Sequence, residues 1–148
     1  MIHRRLSWWM ESNSLHLEEP CGFRSGRGVM DVLLQLEHKA QMTYRNKGIA
    51  LASFLDIKSA FDKSSHLGIL YKISCMGLHG TPLQWLQSFL ENRSYSVSVG
   101  ASLSTPSPIR TGLPQGSVLS PPLFSVLLSD FSCLPHVSTF LYADDISL

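Results

Sequence analysis

Apolar positions along this chain fall into two rhythms. Val29, Val32, Leu33, Leu36 and Ala40 recur at steps of three and four, which predicts an amphipathic helix over about 29–45 with Gly48 as its stop. That stripe reads as core. Ile49 to Ile57 is an almost unbroken apolar, β-prone run, which predicts a buried strand carrying Asp56 near its end. Ser64 or Ser65 is placed to cap a helix through about Cys75, with Leu67, Leu70, Tyr71 and Ser74 along one side and Gly77 after it. Thr81-Pro82 opens another helix as cap and first-turn proline, with Leu83, Leu86, Phe89 and Leu90 as its stripe to about Asn92. The rhythm then changes to alternation at Tyr95, Val97 and Val99. Gly100-Ala101 turns the chain into a partner strand near 103–110, which Pro106 and Pro108 make an edge or irregular.

Gly112, Pro114 and Gly116 impose a shaped loop. Ser120 caps the helix that follows, with Pro121 and Pro122 in its first turn and Leu123, Phe124, Leu127, Leu128 and Phe131 as its buried stripe. The chain ends in two short β-prone runs around Ala143-Asp144-Asp145, a hairpin with acids at its tip. Only Ile146, Ser147 and Leu148 return from that tip, which predicts a frayed hairpin. Residues 1–22 show no clear period, although Trp8 and Trp9 call for cover. The order is helix, strand, helix, helix, hairpin, helix, hairpin. That order predicts an α+β sheet with helices on one face.

Composition adds little to this picture. A chain of 148 residues with 44% hydrophobic and 16% charged residues suits one domain with a real core. A net charge of +1 gives no global nucleic-acid signal. Its distribution is uneven. Seven of the twelve bases (Arg4, Arg5, Arg24, Arg27, Lys39, Arg45 and Lys47) precede residue 50, and only Arg110 follows residue 104. A basic N-terminal part facing an acidic hairpin is compatible with a polyanion held over a metal site, although such a distribution is more often an ordinary solvated surface. Cys21, Cys75 and Cys133 make neither a disulfide framework nor a zinc pattern, and read as reduced packing residues of an intracellular protein. No stretch reads as a signal peptide or a membrane span, so no membrane partner is expected.

Candidate chemistry starts at the acids. Adjacent carboxylates at Asp144 and Asp145 are costly unless a cation or solvent compensates them. A fold that brings Asp56 beside Asp144 makes a hard-oxygen site suited to Mg²⁺. Asp56 alone is equally a turn or cap acid. Gly22-Phe23-Arg24-Ser25-Gly26-Arg27-Gly28 is either a phosphate-binding loop with two guanidinium forks or a plain turn. Gln115, between Pro114 and Gly116, either lies against a flat ligand or a sugar or is an exposed loop amide. His66 and His79 read as surface histidines.

Four segments together are specific. Gly22-Phe23-Arg24, then Phe54-Leu55-Asp56-Ile57-Lys58-Ser59-Ala60-Phe61-Asp62, then Gly112-Leu113-Pro114-Gln115-Gly116-Ser117-Val118-Leu119-Ser120-Pro121, then Tyr142-Ala143-Asp144-Asp145 resemble, in order and spacing, the reverse transcriptases of non-LTR (LINE-like) retrotransposons. The resemblance covers residues 22–148 and leaves 1–21 as a lead-in. It implies the fingers-and-palm part of a right-hand polymerase with a ferredoxin-like palm. It implies Asp56, Asp144 and Asp145 as catalytic metal ligands for two Mg²⁺ ions, with Mn²⁺ as the alternative ion, in transfer of a nucleotide from dNTP to a primer 3′-OH. Phe61 matches the residue that screens the sugar 2′-OH, and Gln115 the glutamine near the incoming nucleotide. Arg24 matches a contact to template or triphosphate. Arg24, Arg27 and Gly116 are the implied nucleic-acid contacts. The implied partners are an RNA template, a DNA primer and dNTP.

This chain departs from the family pattern at Pro20-Cys21, Gly28-Val29, Lys63-Ser64-Ser65-His66 and Ser125, and stops soon after the acid pair. The expectation is a truncated copy, weakly active or inactive by itself. A group II intron or retron-type enzyme, or a catalytically silent nucleic-acid-binding remnant, remain the alternatives.

Overall fold

A computed structural model describes residues 1–13, 26, 28–131 and 137–148. They divide into two compact units, 1–58 with 128–148, and 59–127. Helices and antiparallel strands mix in both, so the chain is α+β. The loop 22–25 with Arg27, together with Cys21 and Cys133, lies outside the described residues.

The first unit opens with a helix where no period was expected, α1 (Ile2–Ser12). Its buried residues are Leu6 and Met10, one turn apart, while Trp8 stays 70% exposed. Two buried positions are too few to register as a period. Helix α2 (Val29–Arg45) matches its expected bounds. At its start, the Gly28 N–H donates to Asp31 Oδ2 at 2.6 Å, which satisfies an orphan helix donor. Its stop is Lys47, at φ 55°, followed by the Gly48 N–H bonding Thr43 O at 2.9 Å.

The α2 stripe is not core throughout. Val32 is buried, Leu36 is half-buried, and Leu33 is 50% exposed. The reason is narrow contact. Val32 and Leu36, one turn apart, pack against Phe140 and Tyr142 of a single strand, so only one row of the helix is covered.

The strand expected over 49–57 is also shorter and more exposed. It is β1 (Phe54–Asp56), open along its whole length, and Ile49 and Leu51 before it are almost fully exposed. The physical cause is missing cover: α2 packs Val32 and Leu36 on Phe140 and Tyr142, and an open cleft lies beside Phe54 and Asp56. β6 (Phe140–Tyr142) and β7 (Asp145–Ser147) form the terminal hairpin, and the sheet order is β1-β7-β6, antiparallel throughout. That order also corrects the expectation of fraying. β7 is the central strand, paired on both sides, and Ser53 and Leu148 exchange both backbone hydrogen bonds beyond it, at 3.0 and 2.9 Å.

In the second unit, α3 (His66–Cys75) is capped by Ser65, whose Oγ accepts from the Gly68 N–H at 3.1 Å. Its buried face is His66, Ile69 and Ile73; Leu67 and Tyr71 lie on the open side. Cys75 is exposed rather than packed. α4 (Thr81–Leu90) buries Leu86 and Leu90 as the stripe predicts, but its cap is Gly80 at φ 65°, one residue before the expected Thr81.

Four short strands follow: β2 (Arg93–Tyr95), β3 (Ser98–Val99), β4 (Ser102–Leu103) and β5 (Ser107–Ile109). β3 pairs with β4 and β2 with β5. Between the two ladders, residues 96–97 oppose 104–106, so one extra residue sits on the proline-bearing side. The expected irregularity is therefore a bulge, and Pro106 lies within it. The last helix, α5 (Ser120–Leu127), buries Pro122, Leu123, Phe124 and Val126. Ser120 belongs to the helix instead of capping it, and its Oγ donates to Pro114 O at 2.6 Å.

Candidate active site

The first unit holds the three acids. Residues opposite one another in an antiparallel ladder project to the same face of the sheet. Asp56 faces Asp145 across β1 and β7, and Asp145 faces Tyr142 across the hairpin. Phe54, Phe140 and Ser147 share that face, while Leu55, Leu141 and Ile146 take the other. Asp144 is the second residue of the two-residue turn. Ala143, the first, has φ 56° while Asp144 does not share it, the pattern of a type II′ turn, where glycine is usual. The residue that faces Asp56 is thus Asp145, and Asp144 stands at the apex beside it.

Asp56 and Asp145 border a cleft of about 370 Å³. Val29, Val32 and Leu33 of α2 form one side and Phe54, Phe140 and Tyr142 belong to the other. Asp56 and Asp145 are exposed and Asp144 is half-exposed. Among the described residues, no hydrogen bond or ion pair engages any of the three carboxylates. Nor do the described residues gather three or more His, Cys, Asp or Glu side chains into one potential metal cluster. The donor set is nonetheless of the right chemistry: two carboxylates on neighbouring rigid strands, a third one residue away, and oxygen lone pairs left open for a hard cation.

The second unit holds Phe61, Gln115 and Gly116. Residues 59–64 form a tight turn started by Ser59 at φ 56°, with the Lys63 N–H bonding Ser59 O at 2.9 Å. Phe61 is half-buried and its ring stacks on buried Phe124, with centroids 4.7 Å apart. The loop 111–116 is fastened to this turn. The Gly112 N–H donates to Ser64 O and the Leu113 N–H to Phe61 O, both at 2.8 Å. Gln115 is exposed, and its Nε2 donates to Asp62 Oδ1 at 2.9 Å. Gly116, at φ 82°, has open space where a Cβ would point.

His66 departs from its expected place. It is buried, and its Nε2 lies 2.7 Å from Gly112 O. A carbonyl only accepts, so this nitrogen carries the proton. Arg93 Nη1 donates to the same oxygen at 3.2 Å. Asp62, His66 and Arg93 therefore escaped the sequence-based site. Asp62 is spelled out in the segment around Asp56, but nothing local connects it to a glutamine 53 positions on. Arg24 and Arg27 lie outside the described residues. Among the described residues, no helix is long and apolar enough to cross a membrane.

The family model for reverse transcriptase (RNA-dependent DNA polymerase) matches residues 1–148. The chain is 42% identical over 111 residues, 74% of its length, to the RNA-directed DNA polymerase from mobile element jockey of Drosophila melanogaster. It is 33% identical over its whole length to the probable RNA-directed DNA polymerase from transposon BS of the same species. It is 30% identical over 70% of its length to a Pol polyprotein from the type-1 retrotransposable element R2 of Popillia japonica. It spans only 12% to 17% of the length of these relatives. The resemblance to non-LTR reverse transcriptases is borne out, and the chain belongs to the reverse transcriptase (RNA-dependent DNA polymerase) family.

Proposed function

We propose that this chain carries the nucleotidyl-transfer site of a retrotransposon RNA-directed DNA polymerase, and that residues 22–148 form its fingers-and-palm portion. The substrates are dNTP and a DNA primer 3′-OH on an RNA template. Asp56, Asp144 and Asp145 are the ligands for divalent cations, Mg²⁺ first and Mn²⁺ as a substitute. When bound, the cations supply activation of the primer hydroxyl and neutralise charge on the departing pyrophosphate. The chain's own part is to hold its carboxylates open and rigid. The observation that carries this is the ladder register that sets Asp56 opposite Asp145, with no other group engaging either acid among the described residues.

Phe61 is the residue that screens the sugar, and its stacking on Phe124 supports that role by fixing the ring. Gln115 contacts the nucleotide. Arg24, Arg27 and Gly116 contact nucleic acid.

Primer extension on an RNA template with Mg²⁺ tests the proposal, comparing the chain with Asp144→Ala and Asp56→Ala. Weak, non-processive extension by the parent and its loss in both variants is the expected result. Template binding without extension, unchanged by Asp144→Ala, would mean a binding remnant instead. A second readout does not need turnover. Mn²⁺ should broaden the NMR signals of residues 54–56 and 142–147 in the parent, and Asp56→Ala with Asp145→Ala should abolish the broadening.

A further inference from the structure

We infer that Asp62 is a positioning residue for the nucleotide: its carboxylate turns the Gln115 amide so that the carbonyl oxygen, not the NH₂ group, meets the substrate. The inference rests on the proposal that Gln115 contacts the nucleotide. An ionised carboxylate only accepts hydrogen bonds. The 2.9 Å contact with Asp62 Oδ1 therefore takes the nitrogen of the amide, and Gln115 Oε1 points away. Without Asp62, an exposed amide turns freely and presents donor or acceptor alike. With it, the group offered is an acceptor. Such a group selects a donor on the substrate, a sugar hydroxyl or a base N–H, and disfavours a phosphate oxygen.

Two exposed side chains would ordinarily hold each other loosely. Here both ends are mounted on one backbone clamp. Asp62 O accepts from Thr111 Oγ1 at 3.3 Å. Gly112 lies so close that an added Cβ would stand 2.6 Å from Asp62 O. The turn and the loop share the Gly112–Ser64 and Leu113–Phe61 backbone bonds, and the Gly112 carbonyl accepts from buried His66 and from Arg93. A side chain fixed in this way reaches a ligand at little entropic cost.

Two measurements test the inference. The first needs no catalysis. The side-chain NH₂ signals of Gln115, identified by their loss in Gln115→Ala, should shift in Asp62→Ala and recover most of their position in Asp62→Asn, which keeps an acceptor. The signals of Gln35, Gln41, Gln84 and Gln87 should stay in place. Gln115 signals unmoved by Asp62→Ala would overturn the orientation. The second measurement is dNTP incorporation by the parent, Asp62→Ala, Gln115→Ala and the double variant. Asp62→Ala should raise the dNTP KM about tenfold with kcat little changed, and the double variant should be no worse than Gln115→Ala alone. Losses that multiply in the double variant would overturn the inference while leaving the polymerase proposal standing. A parent without Asp144-dependent incorporation would overturn the polymerase proposal, and the NMR comparison would then decide the orientation alone.

Discussion

Asp56 and Asp145 face each other directly across the β1–β7 ladder, two carboxylates on the same side of a three-stranded sheet. Like charges so placed destabilise a strand pair, and among the described residues no basic side chain or hydrogen-bond donor engages either acid.

The first prediction is therefore a trade between stability and ion binding. In metal-free buffer, Asp145→Asn should raise the melting temperature by about 1–4 °C, because it removes the repulsion while keeping the side-chain volume. Added Mg²⁺ should raise the melting temperature of the parent and have little effect on the variant, since a ligand stabilises only the state that binds it. Thermal melts with and without Mg²⁺ check both halves. A parent indifferent to Mg²⁺ together with a loss of stability in Asp145→Asn would contradict the electrostatic account.

The turn beside this pair stores strain. Ala143 holds φ 56°, a left-handed backbone that costs a residue with a Cβ about 1–2 kcal/mol. Ala143→Gly removes that cost and returns part of it as unfolded-state entropy, so a net gain of about 0.5–1 kcal/mol is expected. Ala143→Val should lose stability, because a β-branched side chain tolerates this region least. Urea unfolding midpoints of the three proteins should rank Gly, Ala, Val from highest to lowest.

Much of this fold is written in short-range signals. α2, α3 and α4 follow from residues one turn apart and from Ser65 and Pro82 at helix starts, all of which act locally. The terminal hairpin likewise follows from a turn between two β-prone runs. What the pattern misses is set by partners elsewhere. The run 49–57 has the composition of a buried strand, yet β1 is exposed because α2 packs on β6 instead, and no local pattern reports which strand a helix will cover. α3 carries apolar residues on two sides, and only packing decides that Ile69 and Ile73 are inside while Leu67 and Tyr71 are not. The same division holds at the candidate site. The acids are conspicuous as residues, but which acid faces Asp56 is a matter of register. The contacts of Asp62 with Gln115 and of His66 with Gly112 bridge 53 and 46 positions, and spacing says nothing about them.

His66 gives the third prediction. Its Nε2–H is a buried donor on the Gly112 carbonyl, backed by the longer Arg93 contact. His66→Ala removes the stronger donor and opens a void under the loop, at a cost of about 2 kcal/mol. Arg93→Ala should cost less, because the carbonyl keeps its His66 partner. Denaturant unfolding should show that order, and equal losses would mean that the two donors are interchangeable.

The two glycines of the Gln115 loop separate conformational strain from crowding. Gly112 and Gly116 both have left-handed backbones, at φ 89° and 82°, so any side chain at either is strained. They differ in what a Cβ would meet. At Gly116 it would point into open space, so Gly116→Ala should cost only the backbone term, about 1 kcal/mol. At Gly112 it would press on the Asp62 backbone, with the oxygen at 2.6 Å and two carbons at 3.1 Å. No flexible side chain can yield there, so the loop or the turn must move and give up the Gly112–Ser64 and Leu113–Phe61 bonds. Gly112→Ala should therefore cost about 3 kcal/mol or more. It should also release Gln115 from Asp62, because the loop that carries the glutamine no longer lies on the turn that carries the acid. Unfolding midpoints measure the first consequence and the Gln115 side-chain NH₂ signals the second. Equal losses at the two glycines would show that the close approach of Gly112 to Asp62 is not what holds the loop.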